Sequence, residues 1–512
     1  MKKSSSEYLD SFAVSAEQLQ TLVGEGLRNG GDWCDLFFED TSYSELMLRD
    51  GEVSAGGSHI DYGCGIRVLC GEKTGYAYAE RTDMPSLLAA ARSASAIAQA
   101  GVTSLRSGDG YAVIPPIAGD GHLPLTVPRV ARLSKGGHPR LRTSTKSAAI
   151  SGANDYYSQR EDWRESRAAE LVPVLRKLES LIRAKDSSVH KVIAMLSWQV
   201  SDILMYNSLG ETTTDTRPIG SITVTVIFVR GSQTEMNNAS RSFRMGVEMI
   251  TDSLLEELAT QVTDGMDERF EARRPKGGKM PVVMAAGASG ILLHEAMGHA
   301  FEADFNRKGQ SIFADKMGKR VASKGINILD DATIPFNRGA VRIDDEGVPG
   351  QKTYMVEDGI LRSYLHDRIS AAYYGVAPTG NGRRESFRYN PIPRMRCTYM
   401  ESGRDGSCQD LIAGVKKGIF VDQFSNGEVK IGEGDFTFYV KSGRLIENGR
   451  LTMPVKDINI VGNGPRALAD IVGVAGDLKI DDSTWTCGKE QSAFVSCGIP
   501  SVLVKELTVG GE

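Results

Sequence analysis

His294, Glu295 and His299 sit within one short stretch, Leu292-Leu293-His294-Glu295-Ala296-Met297-Gly298-His299. Two imidazoles and a carboxylate so close together are half of a hydrolytic zinc site. Imidazole nitrogens bind the ion, and a neighbouring carboxylate can take a proton from water. The common zinc-protease pattern spaces its histidines at i and i+4, on one face of a helix. Here the spacing is i and i+5, which sets them about 140° apart on a regular helix. A single widened i→i+5 turn returns both rings to one face, and Gly298 is the residue best able to tolerate that distortion. The spacing therefore predicts a bulged or broken helix at Met297 and Gly298. The competing reading is a buried amphipathic helix whose histidines are only hydrogen-bonded.

A catalytic zinc usually takes three protein ligands and leaves a fourth position for water. Glu302 and Asp304 are nearby candidates for the third; His366 and the cysteines are distant ones. Cys487 lies in Thr486-Cys487-Gly488-Lys489-Glu490, a short polar turn suited to presenting a thiolate. A small buried thiol is the commoner fate of cysteine.

These residues need elements to hold them. Residues 281–286 form a buried-strand pattern, Gly287-Ala288-Ser289-Gly290 a tight turn, and the helix follows with Ser289 as its expected N-cap. Upstream, helices are expected at 12–29, 85–100, 167–185 and 245–261. Strands are expected at 34–40, 62–70, 74–79, 189–197, 201–207 and 222–229, with an Asp50-Gly51 hairpin. Downstream, Asp358-Gly359, Asn426-Gly427 and Asn448-Gly449 fall between alternating apolar runs, as hairpin turns do, and short helices are expected at 411–418 and 467–474. The fold class is α+β: an N-terminal domain, 1–272, of helices and antiparallel sheet, and a mostly β C-terminal domain, 273–512, carrying the histidine helix. Arg273-Arg274-Pro275-Lys276-Gly277-Gly278-Lys279 is the boundary.

The chain has 512 residues, too many for one core, and a net charge of −5 that argues against nucleic acid as a direct partner. The region 101–161 is the exception. It is rich in Gly, Pro, Ser and Arg, and its Arg129, Arg132, Lys135, Arg140, Arg142 and Lys146 fit a basic surface loop or a contact for an acidic ligand. No secretory signal or membrane span is expected, and seven scattered cysteines without a C-x-x-C pair fit reduced thiols in the cytoplasm.

The chain resembles the TldD/PmbA (TldD/TldE) family of zinc metallopeptidases, in its TldD-like, metal-bearing branch. The likeness rests on the histidine stretch, Asp344-Asp345-Glu346-Gly347-Val348-Pro349-Gly350, the run from Gly375 to Ser386, Asn390-Pro391-Ile392-Pro393-Arg394-Met395, Thr486-Cys487-Gly488-Lys489-Glu490 and Leu507-Thr508-Val509-Gly510-Gly511. It is weak or absent over 101–161. The resemblance implies zinc held by His294, His299 and Cys487, with Glu295 as general base. It also implies extended peptides as substrates, and assembly as a homodimer or with a metal-free relative. Arg383, Arg384 and His366 are candidate donors to a developing oxyanion; Asn381 and Glu385, among glycines, are candidates to hold substrate backbone. Alternative readings are an amidase or tailoring hydrolase of small-molecule biosynthesis, and a non-catalytic modulator of gyrase or of a toxin system.

Overall fold

Six strands from the first half of the chain make one antiparallel sheet: β1 (Trp33–Arg49), β2 (Glu52–Cys70), β3 (Lys73–Ala79), β4 (Val189–Asn207), β5 (Thr212–Arg230) and β6 (Gln233–Phe243). Their order is β3-β2-β1-β4-β5-β6. The computed structural model describes residues 3–99 and 156–511, so the basic region expected at 101–161 lies outside the described residues up to 155. The expected turn at Asp50-Gly51 is present, with φ of 50° and 79°, a left-handed pair that matches strand twist.

The strands are longer than the sequence spacing predicts. The expected break between 197 and 201 is absent, and β4 runs straight through it. Its first half alternates between buried and half-buried residues; its second half is buried on both faces. The reason is what covers it. Leu196 and its neighbours pack under helices Ala168–Lys185 and Asp252–Thr263. Farther along, Leu204 packs with the Ala16–Leu27 and Met84–Gln99 helices, while Ile203 and Met205 meet Ile343 and Phe387 of the C-terminal half. A strand covered on both sides loses its alternation. The helix expected from 245 begins only at Asp252, where Thr251 caps it by accepting from the Leu254 N–H.

In the second half of the chain, Lys417–Val429 pairs with Gly278–Met284 on one side and with Asp435–Glu447 on the other. Through Val502–Val509 and Asn459–Asn463 the sheet thereby closes on itself. Asn426-Gly427, expected as a turn, lies inside Lys417–Val429, opposite Tyr439 and Phe438. The turns at Asp358-Gly359 and Asn448-Gly449 form as expected, all four residues having positive φ. The helix expected over 467–474 is a short one, Gly464–Ala469, followed by a strand, Ile471–Val474. A second sheet, of mixed direction, includes Cys397–Met400 beside Ser496–Ile499. The histidine helix shares one apolar core with strands of both sheets. No helix among the described residues is long and apolar enough to cross a membrane. The whole is α+β.

Candidate metal centre

The strand Gly278–Met284 delivers the chain to the buried turn that starts the histidine helix. Ser289 does not cap it: the residue lies within a tight turn, Ala288–Gly290, and its buried hydroxyl has no hydrogen-bond partner among the described residues. A short α-helical turn, Ile291–Leu293, leads into a π-helical turn over His294–Gly298, and the His299 N–H donates to the His294 carbonyl. This is the widened turn that the i, i+5 spacing requires. It brings the two rings to 5.0 Å between centroids, nearly perpendicular at 83°. Gly298 is needed for a reason other than backbone strain. Its φ of −55° and ψ of −53° are ordinary, but a Cβ there would sit 2.2 Å from Met395 Sδ. The wide turn is thus pressed against the neighbouring loop.

Cys487 arrives on a hairpin, Thr486–Lys489 with Gln491–Phe494, turned at Glu490 with φ of 58°. Its Sγ lies 3.1 Å from His299 Nε2. Ligand atoms of His294, His299 and Cys487 all fall within 4.8 Å of one another, and all three residues are buried. On the far side of His299, Nδ1 is 3.1 Å from Glu302 Oε2. An ionised carboxylate only accepts, so Nδ1 carries a proton, and Nε2 is the nitrogen turned toward the cluster. Glu302 is thus engaged by His299, and Asp304 by Lys489 Nζ at 2.7 Å. Lys489 also lies 3.0 Å from Glu302 Oε2.

Charge in the cluster follows from these contacts. Burial alone would raise the Cys487 thiol, but the charge of His294 and hydrogen bonds from both imidazoles bring it down to about 5. Burial likewise opposes ionisation of Glu302, yet Lys489 and His299 hold it at about 2. Glu295 is shifted the other way. Burial raises its carboxyl, and the two histidines offset only part of this. A base whose pKa moves toward the working pH is better matched to proton transfer. The group faces a cleft of about 730 Å³ lined by Glu295, Ile291, Trp485 and Lys489 among others.

The remaining residues singled out in the sequence lie elsewhere, and none of the five lines this cleft. Asn381 is buried and donates to Asp330 Oδ2 and the Arg394 carbonyl. Arg383 donates to the Met395 carbonyl at 2.5 Å. Arg384 stacks on Phe37 at 4.1 Å and donates to the Asp345 carbonyl. His366 is packed against Tyr364 and Tyr374, and burial lowers its pKa to about 4. Glu385 accepts from the Ser492 N–H and so ties down the Cys487 hairpin. Arg394, whose part sequence reasoning missed, is buried behind that hairpin and donates to the Cys487 and Gln491 carbonyls. It stands in the Asn390–Met395 stretch that carries the family likeness, but nothing local assigns it this part, because both contacts are to backbone far along the chain.

Comparison with known proteins shows the family. The PmbA/TldA metallopeptidase family matches in three parts: domain 1 over 34–98, the central domain over 161–265, and the C-terminal domain over 277–511. The metalloprotease TldD homolog of Haemophilus influenzae is 35% identical over 486 residues, covering 94% of this chain and 93% of that one. The zinc metalloprotease TldD homolog of Saccharolobus solfataricus is 36% identical over 245 residues, 48% of this chain and 54% of that one. TldE from Thermococcus kodakarensis has the same fold, with a TM-score of 0.69 at 19% identity over 96% of this chain and 100% of that chain. The chain belongs to the PmbA/TldD family of metallopeptidases and is a hydrolase of that class.

Proposed function

We infer that the metal is zinc, that His294, His299 and Cys487 hold it, and that the bonds cut are those of extended, unfolded peptides or of a peptide precursor. The observation that carries this reading is the convergence of two imidazoles and one thiol, beside a carboxylate, at the wall of an open cleft. The donor set fits. Ordinary zinc–nitrogen and zinc–sulfur bonds in a tetrahedron put N and S about 3.5 Å apart, close to the 3.1 Å between His299 Nε2 and Cys487 Sγ. When bound, zinc supplies Lewis acidity toward a carbonyl and makes water acidic near neutral pH. Glu295, next to a ligand and facing the cleft, takes the proton of the attacking water and returns it to the leaving amine. Glu302 keeps His299 in the tautomer that ligation needs.

The division into 1–272 and 273–512, and assembly as a homodimer or with a metal-free relative, complete the proposal; the fold shared with TldE supports the second form of assembly. The test is metal analysis with a peptide panel. The protein should carry roughly one zinc per chain, and Cys487→Ser should lose most of it. Zinc retained by that variant would overturn the ligand set. Hydrolysis of small amides but of no peptide beyond a few residues would overturn the substrate class.

A further inference from the structure

The two halves of the donor set come from distant parts of the chain: the histidines from the helix, Cys487 from the hairpin. Lys489 of the hairpin reaches Glu302 directly, and one side chain from outside both elements, Arg394, touches what holds each. The Arg394 guanidinium is 1% exposed. Its Nη2 donates to the Cys487 carbonyl at 2.7 Å and its Nη1 to the Gln491 carbonyl at 2.6 Å, so it grips both strands of the hairpin. Its Nε lies 3.6 Å from Glu302 Oε1, the carboxylate oxygen that His299 does not use. Among the described residues neither Nε nor Oε1 has a hydrogen-bond partner.

We propose that Arg394 is a positioning residue of the metal centre, one that sets the separation of His299 from Cys487 by gripping the hairpin and facing Glu302 with one rigid fork. This rests on the ligand assignment proposed above. Only arginine suits the place. Its planar group offers parallel N–H bonds in fixed directions, whereas lysine offers one flexible point charge. The histidines would still share a face without Arg394, because the π-helical turn is local. The thiolate would be held less closely, because the short two-stranded hairpin would then be tied down only at its ends, by Lys489 to Glu302 and Asp304 and by Glu385 to Ser492, and not at the Cys487 carbonyl itself.

The test uses the full chain loaded with cobalt(II) in place of zinc, together with zinc competition against a chromophoric chelator. Arg394→Lys and Arg394→Ala should each lower zinc affinity about 10- to 100-fold, the range expected when a ligand's supporting partner is removed. Both should also weaken or shift the thiolate-to-cobalt charge-transfer band, with lysine no more than a partial rescue. A merely structural arginine would change thermal stability and leave the band of the folded protein where it was. Affinity within twofold of wild type and an unchanged band in Arg394→Lys would overturn the proposal. If the arginine variants do not fold, Glu302→Gln reads the same bridge from its other end, and an unchanged band and affinity there overturn it equally. A wild-type protein with no thiolate band refutes the ligand assignment along with the bridge. A wild-type band that every variant keeps refutes the bridge alone.

Discussion

Between the six-stranded sheet and the C-terminal half, Arg67 meets Asp35 at 2.6 Å and Glu346 at 2.6 Å, and Arg217 meets Asp345 at 2.5 Å and Asp215 at 3.0 Å. All six of these side chains are buried. The metal centre also buries titratable groups, but arranges them differently. In the seam each charge is answered by a charge of opposite sign, so its bonding capacity is spent on holding the two halves together. At the candidate metal centre, Glu302, Lys489 and Asp304 answer one another behind the cluster, while His294, His299 and Cys487 turn toward a common point and Glu295 toward the cleft. Density of buried charge is therefore no guide to chemistry here. Convergence of imidazole, thiol and carboxylate groups on a cleft is the better one, and it separates Glu295 from Arg384.

That contrast can be broken at several places. Glu295→Gln should lower peptide hydrolysis about 1000-fold, the range expected for loss of a general base, while zinc content and melting temperature stay near wild type. A variant that keeps activity would move Glu295 out of the reacting group. Arg67→Ala should do the reverse. It strands two buried carboxylates and should cost about 3–5 kcal/mol of folding stability, read by denaturant titration, with zinc affinity in the surviving folded fraction unchanged. Loss of zinc there would mean that the seam and the centre are coupled.

Glu39 tests the seam's edge. Its carboxyl is buried and raised to about 7, chiefly by burial, although Thr41 and the Phe387 N–H donate to it. A raised carboxyl favours folding fully below its unfolded value of 4.5 and loses that contribution as pH climbs through 7. The loss is on the order of 3 kcal/mol, so Glu39→Gln should flatten the fall in stability between those pH values. An unchanged pH profile would show that Glu39 is ionised in the folded protein. The smallest effect sharpens the account of the wide turn. Gly298→Ala should cost about 1–3 kcal/mol by overpacking against Met395, and a paired Met395→Ala should recover part of it. Full tolerance of the alanine would mean the close approach is not what the position requires.

How much of this was legible in the sequence differs from residue to residue. The i, i+5 spacing of His294 and His299 could place both rings on one face only through a widened turn, and that turn forms. The sequence marked Gly298 as special but suggested the wrong cause, because the approach of Met395 is a tertiary fact. Asn381, Arg383 and Arg384 stand in a glycine-rich run that resembles a substrate loop on the page. Folding buries them against Asp330, Met395 and Asp345. Strand lengths were underestimated because a strand covered on both faces loses the alternation from which its limits are read.

By itself the sequence determined what short covalent spacing can determine: the distorted helical turn, the carboxylate next to the first of its two histidines, the Asp-Gly hairpins and the α+β pattern. Tertiary structure alone decided which of several distant donors meets the histidines. Cys487 lies 188 residues beyond His299, and only the packing of its hairpin, clamped by Arg394 and Glu385, brings the sulfur within reach. Dihedral geometry carries information over a turn or two of chain; across longer separations only packing does, and packing depends on all the residues at once.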